Sequence, residues 1–170
     1  MAAPWTRPRK LQPDDRLHGF DCGDLALSHW LTTYAKGNQA AGMASCYLCL
    51  DDSGDVIAYY ALATAGVSQL DASPSVRKGV PRHQIPAVLL ARLAVHTSRQ
   101  GTGLGRAMLR DALIRVGQAS EIVGVRCLLI HAKDDSARRF YLRCAEFEDS
   151  PTDPLHLMLL IKDLRKSIPC

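Results

Sequence analysis

Leu93-Ala94-Val95-His96-Thr97-Ser98-Arg99-Gln100-Gly101-Thr102-Gly103-Leu104-Gly105-Arg106 is the stretch on which the fold turns. It closes an apolar run of strand length, residues 87–96, interrupted only by Arg92. It then opens a helix whose Leu104, Met108, Leu109, Ala112, Leu113 and Val116 form one apolar stripe ending near Gly117. A strand that feeds a glycine-rich turn and then a helix builds an anion site. The first-turn N–H groups have no intrahelical acceptors and sit at the positive end of the helix dipole. Spacing excludes two common versions. A Walker loop ends Gly-Lys-Ser/Thr, whereas this turn continues Gly105-Arg106-Ala107. In a dinucleotide fingerprint starting at Gly101 and Gly103 the third glycine falls where Arg106 stands. What remains is Gln100-x-x-Gly103-x-Gly105, with Leu104 turned to the core and Arg106 adding a cation beside the amides.

Upstream, Leu25, Ala26, Trp30, Leu31 and Tyr34 recur with a helical period and predict a helix over 23–35, capped by Asp21 or Asp24. The apolar runs 44–50 and 56–64, separated by Asp51-Asp52-Ser53-Gly54-Asp55, predict a hairpin. Residues 66–86, rich in Ser, Pro, Gly and basic side chains, predict a loop of the kind that carries function. Downstream, 126–132 reads as a buried strand. Asp134 or Asp135 then caps a short helix with Ala137, Phe140, Tyr141 and Cys144 on one side, and 155–161 reads as a last strand. An early β segment followed by α, ββ, β, α, β, α, β predicts an α/β (α+β) fold, a mixed sheet with helices on its faces.

Composition agrees with one domain over residues 1–170. With 47% hydrophobic and 22% charged side chains, a chain of this length buries roughly 70% of its unfolded surface and needs no metal or disulfide staple. Cys22, Cys46, Cys49, Cys127, Cys144 and Cys170 are scattered. Cys46 and Cys49, three apart on a strand, point to opposite faces, so they read as reduced, half-buried thiols rather than a zinc or dithiol pair. The opening Met-Ala-Ala-Pro-Trp-Thr-Arg-Pro-Arg-Lys has no apolar leader, and no apolar run reaches membrane-spanning length, so a cytoplasmic location is expected. Net charge is only +4, but residues 76–115 hold eight basic side chains against the single acid Asp111, which points to an anionic ligand. His18, His29, His83, His96, His131 and His156 show no HExxH or paired spacing, and no Ser-His-Asp set stands out. Neither a metal nor a hydrolase site is expected.

Leu93-Ala94-Val95, the turn Gln100-Gly101-Thr102-Gly103-Leu104-Gly105 and the later Asp134-Asp135-Ser136-Ala137-Arg138-Arg139-Phe140-Tyr141 together resemble the core of the GNAT superfamily of acyl-CoA-dependent N-acyltransferases. The resemblance implies a single domain with a mixed, mostly antiparallel sheet, helices on both faces, and a bulged cofactor strand that splays from its neighbour. Acetyl-CoA is the implied cosubstrate, with no metal. Its pyrophosphate would lie on Gln100, Gly101, Thr102, Gly103, Leu104, Gly105 and Arg106. Its pantetheine arm would pair with the backbone of Leu93, Ala94 and Val95, and Ser136 and Tyr141 would reach it from the next helix. Phe20-Asp21-Cys22-Gly23, Leu27, Trp30-Leu31, Tyr59-Tyr60-Ala61-Leu62-Ala63, residues 86–95, His131-Ala132 and Ser150-Pro151 are similar to the toxin branch found in toxin–antitoxin modules. That likeness spans about 20–164. It implies acetylation of the amino group of an aminoacyl-tRNA, a block of translation, and neutralisation by a ribbon-helix-helix antitoxin. Three positions depart from the pattern. Phe140 to Phe147 is one residue longer than Phe-Tyr-x-x-x-Gly-Phe and lacks its glycine, which predicts a different turn after the helix. His96 stands where an acid is common, and Asp134 where asparagine is frequent.

The chemistry asks little of side chains. An α-amino group titrates near ~7.7–8, so part of it is neutral at pH 7 and no strong general base is required. The Val95 N–H is the candidate oxyanion donor, a contact worth about 3 kcal/mol, and Tyr141 is the candidate proton donor to the departing thiolate. Arg77, Lys78, Arg82 and His83 on a mobile loop, with Arg92 on the strand, are the candidate RNA contacts. Apolar surface around Leu27 and Trp30 is a candidate for homodimerisation or antitoxin docking. Two other readings share the cofactor: an acetyltransferase for a small amine or protein N-terminus, and a CoA-binding module without turnover.

Overall fold

A computed structural model describes residues 5–167, and Cys170 and the first four residues of the N-terminal stretch lie outside the described residues. The strands are β1 (Arg9–Lys10), β2 (Ser45–Leu50), β3 (Val56–Val67), β4 (Ile85–Val95), β5 (Cys127–His131), β6 (Glu148–Asp149) and β7 (His156–Leu160). They hydrogen-bond as a seven-stranded sheet in the order β1-β2-β3-β4-β5-β7-β6. β4 and β5 run parallel, while β1–β2, β2–β3, β5–β7 and β6–β7 are antiparallel, so the sheet is mixed and mostly antiparallel. The helices are α1 (Leu25–His29), α2 (Ala35–Ala40), α3 (Pro74–Arg77), α4 (Leu104–Ser120), α5 (Asp135–Cys144) and α6 (Ile161–Ser167).

The chain packs as two compact units, one holding residues up to Ala63 with Ala91–Ala112, the other Thr64–Leu90 with residues from Leu113 on. In the first, the β2–β3 hairpin forms because Asp51 Oδ1 accepts the N–H groups of Ser53 and Asp55 at 2.9 and 3.0 Å. Its core gathers Leu11, Phe20, Trp30, Leu31, Leu48 and Tyr59. The Tyr59 hydroxyl donates to the Leu27 carbonyl at 2.6 Å, and that of Tyr60 to Asp111 on α4 at 2.5 Å. Consecutive strand residues point to opposite faces, so helices cover both faces of the sheet here. In the second unit, Val67, Val76, Ile85, Ala87, Leu129 and Met158 cluster on one side. Leu128, Ile130, Leu157 and Leu159 alternate with them and are also buried, which is why β5 and β7 read as unbroken apolar runs. Every member of the α4 stripe is buried, from Leu104 to Val116, each large one contributing roughly 1.5–3 kcal/mol.

Several sequence expectations need correction. The helix over 23–35 is three pieces: α1, a π-helix Trp30–Tyr34, and α2. Asp24, not Asp21, caps it, its Oδ1 accepting the Leu27 N–H at 3.0 Å. Trp30 is core, 8% exposed, and so offers no docking face; Leu25, at 89%, is the exposed apolar residue of α1. The region 66–86 is not one mobile loop. β3 runs through Val67, and α3, with Pro74 in its first turn and Val76 fully buried, sits within it. The Arg126 guanidinium braces that turn, donating to the carbonyls of Ser75, Val76 and Lys78 at 3.3, 3.1 and 3.1 Å. Cys46 and Cys49 are not half-buried but fully buried, and desolvation pushes their thiols up to about 12 and about 11. α4 passes Gly117 and ends at Ser120. Gly117 lies inside the helix, where an added Cβ would only reach ordinary contact with Leu164 on α6 at 3.4 Å, so it is not the helix's end. The two-residue β6 and the short α6 have too little length for a periodic signal.

Candidate active site

β4 pairs with β5 only from Ala87 to Leu90, against Cys127 to Ile130, and then runs on to Val95. Ala94 stays in the first core, while Leu93 and Val95 are half-buried. The chain then makes a single 3-10 turn, Thr97–Arg99, capped by His96, whose Nδ1 accepts the Ser98 N–H at 3.1 Å. His96 therefore has a local structural task at the position where acids are common.

The glycine turn has the backbone an anion site needs. Gly101 and Gly103 have φ of 75° and 89°, the left-handed region that side chains disfavour. The Gly103 carbonyl accepts the Ala107 N–H at 3.1 Å, the first bond of α4, so helix geometry leaves the Leu104 and Gly105 amides without intrahelical acceptors. Leu104 is 1% exposed and pins this end of the helix to the core. Arg106 is exposed beside it.

Gln100 contributes in a way the sequence did not signal. Its Nε2 donates to the carbonyls of Cys22 and Val95 at 2.8 and 3.0 Å. The Thr97 N–H adds a bond to the Asp21 carbonyl at 2.9 Å. The Asp21-Cys22 segment is thereby clipped to the strand end and to the turn. Both amide hydrogens are spent on carbonyls, which leaves the backbone of the turn, rather than this side chain, open to a ligand. Gln100→Glu removes both donors and sets a carboxylate against two carbonyl oxygens. Acetyl-CoA affinity is expected to fall about tenfold, the effect of roughly 1.4 kcal/mol. Calorimetry giving affinity within twofold of the parent would show that the clip does not hold the turn.

In the second unit, Asp134 caps α5 through Oδ1 on the Ala137 N–H at 2.8 Å, settling the choice between Asp134 and Asp135. Ser136 is exposed in the first turn. Tyr141 is 7% exposed, edge-on to Phe140 and Phe147 with centroids at 5.2 and 6.3 Å. Burial pushes its phenol well above the ordinary tyrosine range. The helix ends on Ala145 in extended backbone, φ −157°, so the turn needs no glycine and tolerates the extra residue. Arg77, Lys78, Arg82 and His83 are all exposed in the braced segment. His83, Ile85, Pro86, Val125 and Arg126 are among the residues lining a cavity of about 400 Å³. Arg92 belongs to the first unit and lies half-buried over the Trp30 ring. Among the described residues no three His, Cys, Asp or Glu side chains gather as a metal site, and no helix is long and apolar enough to cross a membrane.

The family model for the acetyltransferase (GNAT) domain matches residues 38–144. Over 164 residues the chain is 43% identical to the tRNA-acetylating toxin of Mycobacterium tuberculosis (strain ATCC 25618 / H37Rv), covering 96% of this chain and 97% of that protein. The fold is similar to that of AtaT complexed with acetyl-methionyl-tRNAfMet, with a TM-score of 0.87, 27% identity, and coverage of 97% and 99% of the two chains. It is also similar to a tyrosine-to-phenylalanine mutant of the AtaT toxin bound to the C-terminus of the antitoxin AtaR and acetyl-CoA, with a TM-score of 0.81, 25% identity, and coverage of 96% and 98%. A strand end, a left-handed glycine turn and a helix start thus occur in a chain matched along nearly its whole length, and the chain belongs to the GNAT acetyltransferase family.

Proposed function

We propose that this N-acetyltransferase moves the acetyl group of acetyl-CoA to the amino group of an aminoacyl-tRNA, and so acts as a translation-blocking toxin in the cytoplasm. The observation that carries the reading is the 43% identity, over 96% of the chain, to a tRNA-acetylating toxin. The geometry supports it at each stage. The amides from Gly101 to Gly105 suit the pyrophosphate, with Arg106 beside them, and the β4 backbone beyond Leu90, at Leu93, Ala94 and Val95, suits the pantetheine amides. The Val95 N–H serves the oxyanion of the tetrahedral intermediate. The Gln100 amide on the Val95 carbonyl fixes the orientation of that strand end.

The amine arrives partly neutral and attacks the thioester carbonyl. The C–S bond breaks, Tyr141 passes its proton to the departing sulfur, and the proton that the nitrogen sheds on becoming an amide goes to solvent, which reprotonates the phenol. Ser136 approaches the same arm from α5. Exposed Arg77, Lys78, Arg82 and His83, with Arg92, serve the RNA. A ribbon-helix-helix antitoxin is the proposed neutralising partner and a homodimer the proposed assembly, with residues 1–170 acting as one domain. Label from acetyl-CoA should appear on the amino acid of charged tRNA, and not on small amines or peptides in the same mixture. Label on amines or peptides alone would replace this acceptor, and label on nothing despite CoA binding would leave a binding module.

A further inference from the structure

Arg92 sits on β4 three residues before Val95, its guanidinium carbon 4.3 Å from the centroid of the Trp30 ring. Trp30 stacks in turn on Tyr59, with centroids 5.9 Å apart and planes 14° from parallel. Tyr59 is fully buried, tied by its hydroxyl to the Leu27 carbonyl, and met edge-on by Phe20 at 5.5 Å. Guanidinium, indole and phenol therefore form three layers, and the lower two are immobilised by the core. Trp30 also opens the π-helix, its carbonyl accepting the Ala35 N–H five residues on. Such turns are rare and recur at functional sites.

A half-buried arginine usually offsets its desolvation with a carboxylate. Arg9 does so with Asp15 at 2.7 Å, and Arg138 with Asp149 at 2.7 Å. Arg92 instead rests over the indole face. That contact braces the guanidinium from one side against a ring the core holds in place. A planar, always-charged fork braced on a rigid aromatic face matches the paired oxygens of a phosphate.

We infer that Arg92, stacked on Trp30, is a preorganised fork for a phosphate ester, with Trp30 as its positioning residue. This deepens the function proposed above, on which it rests for the expected source, a phosphodiester near the 3′ end of the acceptor RNA. The phosphates of CoA offer the same chemistry. Arg92→Lys keeps the charge and loses the plane and the fork. Binding of an uncharged acceptor-stem RNA is expected to weaken about tenfold in this variant, with its salt slope retained, and Trp30→Phe to weaken binding about threefold. In the Arg92→Lys background, Trp30→Phe should add no further loss, because the indole acts through the guanidinium plane.

If the 3′-phosphate of CoA is the ligand instead, Arg92→Lys will erase the preference for CoA over dephospho-CoA and leave RNA binding intact. That result supports the fork and assigns its source to the cofactor. RNA binding and CoA preference both unchanged in Arg92→Lys, at an unchanged melting temperature, overturn the fork. Equal losses from Trp30→Phe in both backgrounds overturn the positioning role. Because the RNA is uncharged, binding through Arg92 by a protein that acetylates no charged tRNA would sink the proposed function and spare this inference.

Discussion

Gly103→Val is expected to cut acetyl-CoA affinity roughly 100-fold or more while leaving a folded protein. Gly103 has φ of 89°, and a β-branched residue in the left-handed region costs about 1–3 kcal/mol. No protein atom lies within 4 Å of the Cβ that would be added, so the new side chain clashes with nothing in the chain. Gly103 is exposed and belongs to neither core, which confines the damage to the turn. The loss is the combined effect of reorienting the amides at the start of α4 and of placing two methyl groups where an anion must approach. Calorimetry with acetyl-CoA, with near-ultraviolet circular dichroism to check the fold, measures both parts. A folded variant that binds within threefold of the parent would refute the turn as the pyrophosphate site.

Tyr141→Phe is expected to lower kcat by roughly 10²–10⁴, the range for loss of a positioned proton donor, with acetyl-CoA affinity within about twofold. The substitution removes one oxygen and keeps the ring that packs against Phe140 and Phe147, so stability should barely change. A pH profile tests the same residue. Burial raises the phenol pKa, and the protonated form is the donor, so donation is present below that pKa and lost only as pH rises through it. The amine acts in the opposite sense, gaining reactivity as it deprotonates near ~7.7–8. kcat/KM should therefore climb through pH 8 and show no descending limb below about pH 10. Near-normal turnover in the variant, or a descending limb between about pH 8 and 9, would remove Tyr141 as the acid.

The strand, turn and helix around Gly101 and Gly103 were legible because they depend on local rules. A period of two, a period of 3.6, and glycines where φ must be positive leave marks in adjacent residues. The Asp51 turn and the α4 stripe were readable for the same reason, and the cap of α5 was narrowed to Asp134 or Asp135. The missing glycine after Tyr141 predicted a different turn, and the helix there ends on Ala145 in extended backbone.

By itself, then, the sequence determined the order of most strands and helices, the glycine turn that opens α4, and the family of chemistry, since each is written in residues within a turn or two of one another. Only the tertiary structure decided the contacts that join distant segments. Gln100 clips the Cys22 carbonyl 78 residues away, Arg126 braces the Ser75 to Lys78 backbone, and Arg92 lies over Trp30. An arginine or glutamine on a half-exposed site satisfies its donors wherever the fold brings a carbonyl or a ring, and no local pattern specifies that partner. Burial likewise moved Trp30 from a candidate docking surface to core, and the thiols of Cys46 and Cys49 from half-buried to fully buried, because burial is set by what packs above a residue rather than by its neighbours in the chain.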